Sequence, residues 1–333
     1  MKLKIVVISL IIILVQGCQF GSSSRLDIAE SKLSLTPVTI KRYGKALFEL
    51  DTNKLQSELK NIQSEFPQFL NGDLDDTANI NRLRVFVSDT QLIHLYHKTI
   101  KIYPGLSELE QSLSRSFGYL SWYFPQFEIP QVYSYISGVQ TDAPVLAADK
   151  SLVIALDCYL GQDEEVYKKM GIPVYKSRRM TPEHIVTDVF SAVYAVYFEI
   201  QHTTNTLLDE MVAAGKRFYF LEAVQPEKED FLLLGYSKEQ YDWIKKHEGA
   251  VWSTLVGEQI LYKGDQILFR KMFADGPFSQ DFSQEAPPRL GEFIGWQIVR
   301  GFMEKNEDIS LSDMLLITDS QKILAGSNYK PRR

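Results

Sequence analysis

The first fifteen residues restrict where and how this chain can fold more than any other stretch of the sequence does. Lys2 and Lys4 give it a positively charged start, and residues 5–15 form an apolar run that only Ser9 interrupts. A basic region followed by a short apolar region is typical of a secretory signal peptide. A membrane-spanning helix needs about 20 apolar residues, so this run is too short for a permanent span. We therefore expect the chain to be exported and to fold outside the cytoplasm.

The apolar run is followed directly by Val15-Gln16-Gly17-Cys18. This stretch resembles the bacterial lipobox, in which a small residue precedes a cysteine that receives diacylglycerol before cleavage. An ordinary signal peptide with a chance cysteine is the alternative, but here the basic region, the apolar run and the cysteine stand in the order of a lipoprotein signal. The sequence therefore predicts a lipoprotein with Cys18 as the lipid attachment site and the membrane as its partner through that lipid.

Three segments follow from this start. Residues 1–17 are predicted to be the signal peptide, residues 18–36 a lipid-anchored tether, and residues 37–333 a single globular domain. If the chain forms two domains instead, the boundary is expected near residues 141–144. Gln19 stands where an Asp is associated with inner-membrane retention in some bacteria, so we predict an outer-membrane location facing the periplasm.

Composition excludes some partners and one kind of cross-link. The 333 residues include 36 Lys and Arg against 42 Asp and Glu, a net charge of −6. Nucleic-acid binding draws its affinity from basic residues set against phosphates, so we expect no nucleic-acid partner. Cys18 and Cys158 are the only two cysteines. With Cys18 lipidated, Cys158 has no disulfide partner, and its apolar surroundings predict that it packs in the core.

Secondary-structure patterns predict an α+β fold that is mostly α-helical with a small β-sheet. Thr181-Pro182 is a strong helix start, because Pro suits the first helical position. Ser107-x-x-Glu110 and Ser237-x-x-Gln240 each match a capping box. The apolar spacing predicts helices over residues 51–66, after 107, after 181, and near 205–222, 237–261, 289–304 and 310–325, with strands at 83–87, 132–136 and 152–156.

Patterns for known catalytic and metal sites are incomplete in this sequence. No two of the five His residues stand four apart, so the His-Glu-x-x-His zinc helix is missing. His94 and His97 are interpreted as a solvated helix face, and the acidic cluster at 73–76 as a solvated loop that lacks the remaining calcium ligands. Ser57-x-x-Lys60 is interpreted as a surface coincidence. Without a Walker loop or a Gly-x-Gly-x-x-Gly motif, we predict no catalytic residues, no metal ligands and no cofactor.

Several phrases along the chain together resemble the gliding-motility lipoprotein GldB family of Bacteroidota. They follow one another in order through nearly all of the predicted mature chain. In that order they are the lipobox, Phe66-Pro67-Gln68-Phe69, Tyr103-Pro104-Gly105, Trp122-Tyr123-Phe124-Pro125, Tyr135-Ile136-Ser137-Gly138, Leu156-Asp157-Cys158-Tyr159-Leu160-Gly161, Gly215-Lys216 followed by Phe218-Tyr219-Phe220, the C-terminal phrase Pro288-Arg289-Leu290-Gly291 with Gly295-Trp296, and the ending from Leu324 to Pro331.

The resemblance implies an ancestry and a role. The family is similar to zinc-peptidase-like proteins, which implies a degenerate zincin-like architecture. The ligands of such a site are missing: the helix after Thr181 carries Asp188, Ser191 and Glu199 but no His, and Ala214 stands where a Glu ligand would be. The resemblance therefore implies a pseudo-enzyme that serves as a non-catalytic accessory or assembly component of the gliding machinery, and possibly of its associated secretion system, through protein partners.

Two other classes of function stay open. One is a metal-dependent hydrolase or peptidase with an unrecognised site, and the other is a glycan- or peptide-binding lipoprotein. In the C-terminal phrase, Gly291 and Gly295 are expected to allow close helix packing, and Arg289 to pair at the surface. The aromatic residues Trp122, Tyr123, Phe124 and Phe127 are expected in the core.

Overall fold

A computed structural model describes residues 25–148, 150–200, 205–279 and 282–331. The fold is α+β and mostly helical, as predicted, with one four-stranded mixed sheet. The strands are β1 (Ile40–Arg42), β2 (Gln131–Tyr135), β3 (Val145–Ala148) and β4 (Ser151–Ala155). The helices are α1 (Tyr43–Phe48), α2 (Leu55–Ile62), α3 (Thr77–Ser88), α4 (Thr90–Ile102), α5 (Ser107–Tyr123), α6 (Glu165–Lys169), α7 (Val174–Ser177), α8 (Ile185–Tyr197), α9 (Leu207–Val224), α10 (Asp230–Leu234), α11 (Lys238–Gly257), α12 (Gln266–Phe273), α13 (Leu290–Lys305), α14 (Leu311–Leu316) and α15 (Ser320–Ser327).

The sheet has the strand order β1-β2-β4-β3. Strand β2 pairs in parallel with β1 and with β4, whereas β3 and β4 pair antiparallel. Strand β4 reads Ser-Leu-Val-Ile-Ala and is almost wholly buried, as expected of an apolar strand covered on both faces. The carboxyl ends of β2 and β4 therefore lie side by side, and the loops that follow them lie at the same edge of the sheet.

Two buried hydrophobic clusters lie on the two faces of the sheet. The larger one joins the sheet to helices α5, α8, α9 and α13. The smaller one lies between α1, α2 and α3 and includes Leu55, Phe66 and the β2 residue Tyr133. Phe124 and Phe127 pack with Phe198 in the larger cluster, as expected, whereas Trp122 remains 44% exposed.

Strands β2 and β4 and the helix start at Thr181-Pro182 confirm the sequence predictions; Pro182–His184 forms a 3-10 turn that leads into α8. The capping box at Ser237 is also confirmed, because Ser237 and Gln240 exchange hydrogen bonds of 3.2 and 3.1 Å.

Three local predictions were wrong. Residues 83–87 lie in α3, where Ile80, Leu83 and Val87 face the interior at helical spacing, instead of forming a strand. Ser107 does not cap α5, since Glu110 instead accepts a hydrogen bond of 2.9 Å from the backbone N–H of Ile40. The predicted 310–325 helix is two helices, and Asp319 caps the second of them.

The N-terminal part of the described chain packs against the C-terminal helices. Arg25 donates hydrogen bonds to the carbonyl oxygens of Met303 (2.8 Å) and Ile309 (2.6 Å), and Leu26 is buried. The segment predicted as a tether is thus attached to the folded body from Arg25 onward. None of the helices in the described ranges combines the length and apolar content that a membrane span requires.

Candidate functional site

The loops after β2 and β4 are joined by one buried carboxylate. Asp157 lies in a 3-10 turn directly after β4 and has no exposed surface. Its carboxylate accepts hydrogen bonds from the backbone N–H groups of Ser137 (2.9 Å) and Val139 (2.7 Å). Burial raises the pKa of Asp157, and these donors oppose that shift by stabilising the charged form. The two loops are therefore fixed relative to each other.

Tyr159, two residues further on, connects this turn to helix α8. Its buried hydroxyl donates a hydrogen bond of 2.7 Å to Oδ2 of Asp188. Its carbonyl oxygen accepts one of 2.5 Å from the hydroxyl of Tyr103. Tyr167 holds the same turn by donating to the carbonyl of Asp157 and accepting from the N–H of Leu160. These contacts fix the position of the Asp188 carboxylate.

A pocket of about 460 Å³ opens beside this carboxylate. It lies between the 141–145 segment, the turn after β4, and the side of α8 that carries Asp188, Ser191 and Ala192. We call it the α8 pocket. Its charged and hydroxyl-bearing lining residues are Thr141, Asp142, Tyr159, Lys176, Arg179, Asp188, Ser191 and Asp275.

Burial raises the pKa of Asp188 to about 6, while Tyr159, Arg179 and Lys228 oppose the shift. A carboxyl group with such a pKa exchanges its proton near neutral pH, as a general acid or base does. His184 lies one turn earlier, within 2.8 Å of the Thr181 hydroxyl, and burial lowers its pKa to about 4. The imidazole is therefore neutral at neutral pH, and the hydrogen-bond partner of Asp188 is the Tyr159 phenol.

Cys158 also lines the α8 pocket but is not an activated nucleophile. The thiol is 1% exposed and lies 3.6 Å from the carbonyl oxygen of Gln140. Burial, with a smaller contribution from the Asp157 charge, raises its pKa to about 12. The reactive form of cysteine is the thiolate, which is scarce at neutral pH under these conditions. The prediction that Cys158 packs in the core is confirmed.

A chain of charges leads from the α8 pocket to the start of α13. Arg179 pairs with Asp275, which also faces the Nε of Arg289 at 3.5 Å. Arg289 in turn donates to Glu292 at 2.9 Å and to the carbonyl of Leu234 at 2.6 Å. The expectation that Arg289 pairs at the surface was wrong: it is only 9% exposed, because two carboxylates compensate its buried charge.

A larger groove of about 990 Å³ lies on the other side of Tyr103. Its walls are the 102–109 segment with the first turns of α5, the start of α8, and the 224–232 segment that follows α9. We call it the α5 groove. Gln225 is one of its lining residues, and the Oε1 of this side chain accepts a hydrogen bond of 3.1 Å from the Thr187 hydroxyl. In the part of the chain that the structure describes, its Nε2 has no partner.

Comparison with known families identifies the chain. A family model described as gliding motility protein GldB matches residues 23–331. The chain belongs to the GldB family. Neither the curated proteins nor the solved structures that were searched give a match.

The GldB phrases that are distant in sequence meet around the two cavities. Tyr103 contributes to the wall of the α5 groove and holds the turn at 156–161, and the phrase at 135–138 is tied to that turn through Asp157. Arg289 joins the same region through Asp275. The phrases at 103–105, 135–138, 156–161 and 288–291 thus meet in one region of this GldB protein.

The remaining residues singled out in the sequence lie elsewhere or outside the description. Cys18 lies outside the described residues. His94 and His97 are exposed on α4, Ser57 is exposed on α2, and the exposed Asp76 caps α3, so these residues lie at the surface as expected. Within the described ranges, no group of three or more His, Cys, Asp or Glu side chains is arranged to hold a metal ion. The zincin-like ancestry stays a prediction.

Sequence reasoning missed the two features that define the cavities. The sequence pattern pointed to Asp188 only as a residue of a helix that carries no His, and it gave no signal for Gln225. The Tyr159 hydroxyl reaches Asp188 only because β4 and α8 are packed together, and no local spacing indicates this contact. A buried glutamine at the end of a helix likewise carries no pattern in the sequence.

Proposed function

We propose that this GldB-family protein is a lipid-anchored, non-catalytic component of the gliding machinery that acts through protein contacts. The observation that carries the proposal is the family match over residues 23–331, which begins five residues after the lipobox cysteine, Cys18. Cleavage before Cys18 would leave a short link to the packed segment that starts at Arg25. The domain would then work close to the membrane surface, which we propose is the periplasmic side of the outer membrane.

The state of the α8 pocket supports a role without catalysis. Asp188 is engaged by Tyr159, Asp275 is engaged by Arg179 and Arg289, and Cys158 is held in its thiol form. Groups that already bind one another serve to hold the pocket together. We propose the same non-catalytic role in the protein secretion system that is associated with the gliding machinery.

In-cell cross-linking tests this proposal. The tagged lipoprotein is cross-linked in living cells, and the proteins that copurify are identified by mass spectrometry, with Cys18→Ala as the unanchored control. We expect gliding or secretion components that are recovered with the native protein and lost with the control. Recovery of the same proteins from both would contradict the need for the anchor, and recovery of none would contradict the assembly role.

A second candidate function is hydrolysis in the α8 pocket, favoured by the Asp188 carboxyl group with its pKa near 6. Metal analysis of the purified lipoprotein, together with gliding of cells that carry Asp188→Asn, separates the two functions. About one zinc per chain and a loss of gliding in the variant would support the hydrolase. Metal-free protein and normal gliding would support the non-catalytic component.

A further inference from the structure

The α5 groove has the volume and the largely apolar lining of a binding site. Its volume of about 990 Å³ is at the upper end of the range of ligand sites in proteins. Apolar side chains form much of its lining, and several are only half-buried, so the groove offers apolar surface that the fold leaves uncovered. The apolar lining residues include Ile102, Leu106, Leu109, Ile185, Val186 and Leu232.

One polar group at the base of the groove lacks a partner. Gln225 is 7% exposed, and its Oε1 is used by Thr187, but its Nε2 makes no hydrogen bond within the described residues. A buried amide N–H without an acceptor is unfavourable, and buried polar groups in folded proteins nearly always have a partner. Gln225 is one of the residues that line the groove, and its Nε2 is itself buried. A rotation of the carboxamide toward the groove would let a carbonyl oxygen of a bound molecule supply the missing acceptor.

The rim of the groove carries an excess of negative charge. Four exposed glutamates, at positions 108, 183, 227 and 229, lie around it. Two cations lie among them: Arg115 is engaged by Glu227 and by Glu30, and Lys228 donates to the carbonyl oxygen of Glu183. The rim therefore keeps more carboxylates than cations. Such a rim attracts basic groups and repels phosphates.

We infer that the α5 groove binds an extended, basic segment of a protein partner. Apolar side chains of the segment cover the floor, one of its backbone carbonyls accepts from Gln225 Nε2, and its Lys or Arg side chains pair with the rim glutamates. This inference rests on the proposed function, since it gives the chemistry of the partner through which the protein acts.

Two hexapeptides of opposite charge test the inference. The lipoprotein is placed in nanodiscs of neutral phosphatidylcholine, and fluorescence anisotropy measures binding of labelled acetyl-Leu-Lys-Leu-Lys-Leu-Lys-amide and of its Glu counterpart, with empty nanodiscs as the blank. We expect saturable binding of the Lys peptide, weaker at high salt, and no binding of the Glu peptide. Equal binding of both peptides, or of neither, would overturn the inference.

Matched variants separate the groove from the rest of the surface. Gln225→Leu is expected to weaken binding of the Lys peptide about three- to tenfold, because it removes the donor at the base. Gln297→Leu is the control, since Gln297 lies outside the groove and its Nε2 also has no partner among the residues that the structure describes. Glu229→Gln is expected to weaken binding, and the exposed Glu258→Gln to leave it unchanged. Unchanged binding in Gln225→Leu and Glu229→Gln would overturn the inference.

The peptide-binding result, read together with gliding and cross-linking in cells, distinguishes this inference from the proposed function. If gliding depends on Cys18 but the Lys peptide does not bind, the groove is not the contact and the anchored role still stands. If the peptide binds as expected while cross-linking recovers no gliding or secretion component, the groove binds a partner of another system and the proposed function is wrong.

Discussion

Gly295 of α13 lies against the carbonyl oxygen of Met211 in α9, so closely that a Cβ on this glycine would stand 1.7 Å from that oxygen. One turn further along α9, a Cβ on Gly215 would stand 2.2 Å from the carbonyl oxygen of Gly295. These distances are far below van der Waals contact, so the two helices can pack here only with glycine at both positions. Gly291, in the same phrase, lies against the ring of Phe273 in α12. The expectation of close helix packing is confirmed.

The first prediction concerns this helix crossing. Gly295→Ala is expected to lower the free energy of unfolding by at least about 3 kcal/mol, because backbone and not a flexible side chain must move to admit the methyl group. Urea unfolding followed by circular dichroism measures the change. Gly257→Ala in α11 is the control, because no atom of the described residues lies within 4 Å of its added Cβ. It is expected to change stability by about 1 kcal/mol or less. Similar losses in both variants would contradict the account of the crossing.

The parts of the fold that the sequence predicted are those with local causes. Strand β4 is apolar from Leu152 to Ala155, the 3-10 turn that leads into α8 begins at Pro182, and α11 begins at a capping box. Each could therefore be recognised from a few adjacent residues. The errors come from contacts between distant segments. Glu110 looked like a capping residue, but its carboxylate is used by Ile40 of β1, and that three-residue strand forms only because β2 lies beside it.

The candidate sites were less predictable for the same reason. Arg289 was expected at the surface because an isolated Arg is usually solvated, whereas Asp275 and Glu292 make its burial possible. The pKa of Asp188 depends on how deeply α8 is packed and on the reach of Tyr159 from another element. Both properties are set by tertiary structure, which single-sequence patterns do not contain.

The second prediction concerns Arg300, which joins two carboxylates beside the α9–α13 crossing. Its Nε donates to Glu222 at 2.8 Å, and both terminal nitrogens donate to Asp230 at 2.7 Å. Arg300→Gln removes the cation that these two partly buried carboxylates share, so we expect a loss of about 3 kcal/mol or more in unfolding free energy. Arg300→Lys is not expected to restore it, because a single ammonium group cannot form this two-sided pattern.

Thermal unfolding monitored by circular dichroism compares these variants with Lys150→Gln. Lys150 and Glu128 form an ion pair in open solvent, so the midpoint of Lys150→Gln should equal that of the native protein. A lowered midpoint in Lys150→Gln, or an unchanged one in Arg300→Gln, would show that burial does not determine the strength of these ion pairs.

The third prediction concerns the chemistry of Cys158. A buried thiol whose pKa is raised to about 12 should resist alkylation by iodoacetamide in the folded protein at neutral pH and react after unfolding in urea. Intact-protein mass spectrometry detects the adduct, and Cys158→Ala shows the background. We expect gliding to persist in Cys158→Ala. Rapid alkylation of the folded protein together with loss of gliding in the variant would establish a nucleophile.

The fourth prediction concerns the titration of Asp188. Its pKa in the folded protein is raised from 3.8 to about 6 by burial, and the hydrogen bond from Tyr159 limits the rise. Tyr159→Phe should therefore raise the pKa further, and Tyr262→Phe, at a tyrosine that is 56% exposed, should leave it unchanged. The carboxyl carbon chemical shift of Asp188, followed by NMR against pH, measures both. A lower pKa in Tyr159→Phe would mean that the phenol does not stabilise the carboxylate.

The raised pKa of Asp188 also makes the stability of the folded protein fall as the pH rises. Since the folded protein holds the Asp188 proton more tightly than the unfolded chain, the contribution of this group is greatest below pH 3.8 and is lost as the pH rises through about 6. Asp188→Asn lacks this dependence, so its stability relative to the native protein should improve between about pH 4 and about pH 7, by at most about 3 kcal/mol. Asp188 is only partly buried beside the open α8 pocket, so solvent screening lowers that value. Urea unfolding of both proteins at the two pH values measures the difference, and a change of opposite sign would mean that the carboxylate form is favoured in the fold.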